Sequence, residues 1–169
     1  MEAIGKSEEL LSTWKPLTTK FMPFFRLQGY FWNCAKGIEW NLKLVNCYKT
    51  YANRRIYWDG GKEESFLRDF GLILGGDLKF TSSTREIWRN STRSDPLVGF
   101  FNKLLLEGGL VDVESVTLHP TWRIGRGGME GVAKRLDVYL IVEELASSTD
   151  MYQTWIMNSK ISDHMLVVF

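Results

Sequence analysis

Short apolar runs stopped by glycine or a polar residue set the rhythm of the chain. "NLKLVNCY" (Asn41–Tyr48) opens in alternation and is rich in β-forming residues, so it reads as a strand. "GLILGGDL" (Gly71–Leu78) is a continuous apolar run that halts at Gly75, Gly76 and Asp77. That is the pattern of a strand covered on both faces that surfaces at one end. "KRLDVYLIV" (Lys134–Val142) and "HMLVVF" (His164–Phe169) read as two more buried strands, and "TWIMN" (Thr154–Asn158) as a further one. The aromatic stretch "FMPFFRLQGYFWNCAKGIEW" (Phe21–Trp40) predicts paired strands with a turn at Ala35–Gly37.

The clearest helix is predicted to start at Asp95, which caps it, with Pro96 in the first helical position. Leu97, Phe100, Phe101, Leu104 and Leu105 follow at helical spacing, and Gly108–Gly109 end it. A weaker helix is expected over "EESFLRDF" (Glu63–Phe70). "GRGGMEG" (Gly125–Gly131) reads as a flexible connection between two strands; it is no phosphate loop, because no Lys-Ser/Thr follows it and no helical pattern opens. Strands interleaved with helices, with polar residues at several strand ends, predict an α/β layered domain. Sites in such folds collect at strand ends and on the loops beyond them.

Composition narrows this picture modestly. A chain of 169 residues is most simply one domain over 1–169, and a 44% hydrophobic fraction with seven Trp and ten Phe excludes general disorder. With 21 basic and 20 acidic side chains the net charge is +1, which neither demands a nucleic acid nor excludes one. Cys34 and Cys47 are too few for a disulfide scaffold and fit a reducing compartment. Nothing in the spacing of these two with His119 and His164 suggests zinc. The start "MEAIGKSEELLSTW" lacks the apolar core of a signal peptide, and no apolar run has the ~20 residues of a membrane span. The expectation is an intracellular protein, nuclear or cytoplasmic.

Candidate chemistry gathers at the strand ends. Asp77, Asp137 and Asp163 each follow or interrupt apolar sequence, where a charge must be paired, hydrogen-bonded or bound to a cation. His164 is a good general base if an acid stands behind it. Asp163 cannot be that acid, because neighbours on an extended chain point to opposite faces; Asp137, centred in its own apolar run, is the natural partner. Asp163 is then left to meet a metal or a structural donor. Tyr48 and the pair Thr121–Trp122 complete the set. Arg85, Arg89, Arg93, Arg123 and Arg126, with Trp88 and Trp122, offer phosphate and stacking contacts, or else form a solvated surface.

Taken in order, "CYKTYANR", "GGDLKFTSSTREIW", "TWR", "KRLD" and "SDHM" resemble the motifs of the endonuclease/exonuclease/phosphatase superfamily. The likeness is nearest to the apurinic-type endonuclease domain of plant non-LTR (LINE-type) retroelements. It implies a four-layered α/β sandwich with the site at one rim, hydrolysing phosphate esters with a divalent cation, Mg2+. In that family His164 would be the base on the attacking water and Asp137 would orient its ring. Asp77 would position the nucleophile, Asp163 would lie at the cation and Tyr48 would hydrogen-bond the phosphate. Thr121, Trp122, Lys79 and Arg85 would contact the substrate, and Ser162 would anchor its loop. DNA is the implied partner, with no membrane and no small organic cofactor.

The chain also departs from the family. The asparagine of the family's G-D-x-N motif is Lys79 here, a residue that cannot accept a hydrogen bond. The glycine and proline after the tyrosine are Lys49 and Thr50, and Val138 follows the R-L-D aspartate. Family members carry a strand with an Asn and a strand ending in the metal-binding glutamate ahead of the position of "LLSTW". Only residues 1–9 stand there, with Glu2, Glu8 and Glu9 in no strand-like context. The expectation is therefore an N-terminally incomplete domain lacking its first strands. Its expected function is a metal-dependent DNA endonuclease of retroelement origin with impaired catalysis; the alternative is a noncatalytic nucleic-acid-binding remnant.

Overall fold

The computed structural model describes residues 20–23, 28–35, 38–63, 71–88, 94–124, 131–148, 152–158 and 162–168. The expected helix beyond Glu63, most of the "GRGGMEG" connection, Arg89, Arg93, Arg126 and the N-terminal glutamates lie outside these residues. Strands β1 (Lys20–Pro23), β2 (Gln28–Ala35) and β3 (Ile38–Asn46) run antiparallel in succession, as the aromatic stretch predicts. Helix α1 (Tyr51–Glu63) then leads toward β4 (Leu72–Asp77), which lies parallel to β3. After β5 (Ile87–Trp88), α2 (Val98–Glu107), β6 (Leu110–Asp112), β7 (Trp122–Ile124) and β8 (Val132–Lys134), strand β9 (Asp137–Val142) inserts between β4 and β6. The main sheet has the order β1-β2-β3-β4-β9-β6, and β5-β8-β7 form a second sheet. Helix α3 (Glu143–Ser148) continues directly from β9, and β10 (Trp155–Met157) pairs with β11 (Leu166–Val168). This is the mixed α/β architecture that the strand pattern predicts.

The apolar runs become strands because the sheet centre removes them from water. In β4, flanked by β3 and β9, Leu72, Ile73 and Leu74 are all buried, and β9 supplies Leu140, Ile141 and Val142 opposite them. Trp58 of α1 and Phe101 and Leu104 of α2 join the same cluster, with the Trp58 and Phe101 rings edge to face. Burial of such side chains contributes roughly 1.5–3 kcal/mol each. No helix among the described residues is long and apolar enough to cross a membrane.

Two local features differ from the sequence expectation. Helix α1 occupies a stretch whose polar surface and Gly60–Gly61 pair hide it from a periodicity search. Its start is set by Thr50, whose hydroxyl accepts the Asn53 amide while its carbonyl accepts that of Arg54. Helix α2 begins at Val98, a few residues later than predicted. Asp95 still organises the entry, accepting the Leu97 amide at 2.8 Å, and its other oxygen takes the buried Arg54 guanidinium at 3.3 Å. The predicted stop holds: Gly108 caps the helix and Gly109 follows with φ 57°.

The end of β4 depends on two glycines. A Cβ on Gly75 would come within 2.3 Å of the Tyr139 ring. Gly76 has φ +115°, and a Cβ there would stand 2.2 Å from the Val45 carbonyl oxygen of the neighbouring strand. Gly76→Ala is expected to destabilise the fold by about 2–3 kcal/mol, read as a lower urea midpoint at unchanged slope. An unaltered midpoint would show that the β3–β4 pair yields easily at this point.

Candidate active site

The register of β4 against β9 sets Asp77 directly opposite Asp137. Residues directly opposite in an antiparallel pair carry their side chains on one face, with Cβ atoms about 4.5–5.5 Å apart. Two carboxylates are thus brought together by pairing between distant segments. The histidine arrives from the other direction. The Arg123 amide donates to the Asp163 carbonyl at 3.0 Å, and the Met165 amide to the Thr121 carbonyl at 2.6 Å. Trp122 and His164 form an antiparallel bridge, so this last segment runs along β7. The Ser162 hydroxyl accepts the His164 amide at 3.1 Å, which anchors the turn.

The result is a compact charge array. His164 Nδ1 lies 2.9 Å from Asp137 Oδ2, and its Nε2 lies 3.5 Å from Asp77 Oδ2. A neutral imidazole that donates Nδ1–H to Asp137 keeps its lone pair on Nε2, the nitrogen turned toward Asp77. One ligand atom from each of Asp77, Asp137 and His164 falls within 4.8 Å of the others, a set able to hold a metal ion. Asp77 is buried while Asp137 and His164 are half-buried, so the array is partly screened from water.

Burial and the nearby Asp137 charge push the Asp77 carboxyl above its usual range, against the pull of Lys79 and His164. Burial alone would lower the His164 imidazole. The Asp137 hydrogen bond and charge, with the charge of Asp77, outweigh it and leave the ring above its ordinary value. The fold therefore favours imidazolium: this contribution to stability is fully present below about pH 6.5 and fades as pH rises through the elevated value. A proton-accepting role has the opposite dependence, gaining as pH rises through that same value. An NMR titration of the His164 ring should give a midpoint above about 6.5 in the wild type. Asp137→Asn should lower that midpoint, and an unmoved midpoint would exclude Asp137 as the group that holds the proton.

Lys79 also reaches this array. Its ammonium pairs with Asp77 Oδ2, the oxygen that faces His164 Nε2, and its amide donates to Asp77 Oδ1 at 3.2 Å. Among the described residues Lys79 is the non-glycine residue with positive φ, at 55°, a conformation better suited to Asn or Gly. The loop that carries it is tied down by Glu86, which accepts from the Ser82 hydroxyl at 3.0 Å and from Arg135 Nη1 at 2.7 Å. Arg135 in turn makes a two-pronged contact with Asp112 at 2.6 and 2.7 Å. Burial works against the guanidinium, but these two acids more than compensate and raise its pKa. Arg135 is thus a buried clamp between the Lys79 loop, β6 and the strand that begins at Asp137. Sequence reading passed it by, because "KRLD" drew attention to its aspartate alone.

The remaining expected residues are placed differently. Tyr48 is 44% exposed, two positions beyond Asn46, the β3 partner of Asp77, and so stands at the same sheet rim. Thr121 is fully buried; its hydroxyl accepts the Leu136 and Asp137 amides, both at 2.9 Å. That corrects the expected substrate contact: the side chain faces inward and positions the start of β9. Asp163, expected at a cation, makes a side-chain contact to the neighbouring strand. It is absent from the three-residue donor cluster, and its carboxylate accepts the Trp122 indole N–H at 3.0 Å. It has met a structural donor. Trp122 is half-buried, with its ring centroid 6.5 Å from that of His164. Arg85 and Arg123 are exposed, on the 3-10 turn at Thr84–Glu86 and on β7. Cys47 is buried, with its thiol pushed up to about 11 chiefly by desolvation, and His119 is exposed.

No protein-family model matches the chain, and no curated protein matches it in sequence. Solved structures do match in fold. The endonuclease domain of TRAS1, a telomere-specific non-LTR retrotransposon, superposes with a TM-score of 0.62 at 19% identity, over 87% of this chain and 66% of that domain. The AP endonuclease LMAP from Leishmania major gives 0.60 at 15% identity, over 82% of this chain and 52% of that enzyme. Truncated TDP2 from Caenorhabditis elegans gives 0.51 at 14% identity, over 88% of this chain and 63% of that one. The chain thus has the endonuclease/exonuclease/phosphatase-type fold and spans between about half and two thirds of the length of these structures.

Proposed function

We propose that the Asp77–Asp137–His164 rim hydrolyses phosphodiester bonds in DNA, as a slow endonuclease of retroelement origin. The observation that carries this reading is the line of contacts from Asp137 through His164 to Asp77 at the end of paired strands. In the proposed step His164 Nε2 takes a proton from water. The water oxygen bonds to phosphorus as the opposite P–O bond breaks, and the departing oxygen takes up a proton from solvent, releasing a phosphomonoester and a hydroxyl end. Asp137 fixes the ring and its tautomer, Asp77 orients the water, and Lys79 with the exposed Arg85 draws in the phosphate charge. The likeness to a retrotransposon endonuclease domain supports the retroelement origin.

Magnesium, the cation that the family resemblance implies, does not fit the residues at this rim. It prefers near-octahedral oxygen ligands, whereas one of the three donors is an imidazole. The other contacts are already taken: Asp137 holds His164 Nδ1, and Lys79 neutralises Asp77. No step of the proposed reaction is routed through that ion.

The test is nicking of supercoiled plasmid, with and without magnesium, at several pH values. Conversion to the open circle, faster as pH rises through the elevated His164 value, is the expected result. Intact plasmid under every condition would overturn the reading. A second reading, a noncatalytic DNA-binding module, is favoured by the engagement of Asp77 with Lys79 and by exposed Arg85 and Arg123. Binding that weakens steeply with salt, with no cleavage, would select it.

A further inference from the structure

We propose that Lys79 is the resident cation of this rim, a built-in ammonium that holds Asp77 against divalent ions and neutralises the incoming phosphate in their place. Three observations converge on it. The ammonium sits on Asp77 Oδ2, the same oxygen that lies 3.5 Å from His164 Nε2, and so shares with the imidazole the carboxylate oxygen a metal would take. The backbone holds this arrangement through the Lys79 amide to Asp77 Oδ1 at 3.2 Å, at a φ of 55° that an L side chain rarely adopts. The pair is well shielded, with side-chain exposures of 16% for Lys79 and 9% for Asp77, so water and salt screen it weakly.

The charge count makes the consequence clear. Asp77 and Asp137 offer two negative charges, and a neutral His164 offers none. With Lys79 in place the net charge of the array is −1, and a divalent ion at Asp77 must either displace the ammonium or lie beside it. A second cation beside the ammonium meets like-charge repulsion that a partly shielded setting leaves strong. A phosphate entering the same rim meets a cation that carries no coordination demands and needs no metal to be loaded first.

This inference rests on the reading of the rim as a phosphate-handling site, but its test does not require turnover. Mn2+ alone serves as the probe, its free concentration followed by electron paramagnetic resonance against wild type, Lys79→Asn and Asp77→Asn/Lys79→Asn. Lys79→Asn should bind Mn2+ about tenfold or more tightly than wild type, the weight of one neighbouring charge removed. The double variant should fall back toward the wild-type affinity. Equal affinity in wild type and Lys79→Asn would overturn the proposal, as would a gain that survives loss of Asp77. Asparagine suits the 55° backbone, so a melting temperature at or above that of wild type is expected. Should that variant misfold, Lys79→Gln enters the same comparison. Failure of plasmid nicking would count against the hydrolase reading and leave the Mn2+ ordering untouched.

Discussion

Replacing His164 with alanine is expected to reduce plasmid nicking by about 10²–10⁴-fold, the usual weight of a positioned general base. The side chain is half-buried and touches Asp137 at 2.9 Å, so its removal also leaves that carboxylate without its partner. The main sheet does not rely on the imidazole, and far-ultraviolet circular dichroism should be unchanged. His164→Gln sharpens the comparison, because it keeps much of the volume and a donor toward Asp137 but lacks a titrating nitrogen. Both variants should lose the rise in rate with pH, whereas wild type keeps it. Nicking by His164→Ala at the wild-type rate would remove this residue from the reaction and with it the proposed site.

The largest structural loss is expected at Arg135. Its guanidinium is 3% exposed and contacts Glu86 and Asp112 at 2.6–2.7 Å, and Glu86 is itself 4% exposed. Arg135→Met fills most of the volume but strands two acids, one of them fully buried. Breaking a buried pair in this way costs about 3–5 kcal/mol. For a chain of this size the melting temperature should fall on the order of 10 °C. Combining it with Glu86→Gln and Asp112→Asn should restore a good part of the loss, since no uncompensated charge then remains. If Arg135→Met alone melts with wild type, the network contributes nothing and the Lys79 loop is held by other means.

Much of the fold was legible in the alternation and termination of apolar runs. The strands at Gly71–Leu78 and Lys134–Val142 are shielded by neighbours, which leaves a continuous apolar signature in one dimension. The C-terminal run and "TWIMN", expected to be buried strands, instead pair with each other in a two-stranded sheet that leaves Leu166, Trp155 and Met157 more than half exposed. The convergence of Asp77, Asp137 and His164 was legible for a related reason: a charge at the end of a buried run has few places to go. What stayed hidden depends on pairing between distant segments. Among the described side chains of helix α1 the buried positions are Arg54, Trp58 and Gly61, and nothing in its polar surface announces that Thr50 caps it. Thr121 reads as a polar residue beside a strand, yet its hydroxyl turns inward to the β9 backbone. The Lys79 substitution was visible as a letter, but its contact with Asp77 follows from a left-handed backbone that no local pattern encodes.

The strand order has a kinetic consequence. Strand β9 comes from far along the chain and wedges between β4 and β6, so positions 77 and 137 meet only after a long loop has closed. Such non-local pairing slows folding into the millisecond-to-second range, because the entropy of closure is lost before any contact rewards it. The Asp77–Asp137–His164 array is thus among the last parts to form during synthesis, and a nascent chain released before residue 137 has emerged cannot assemble it. Stopped-flow refolding followed through the indole of Trp122, beside His164, would time that final closure.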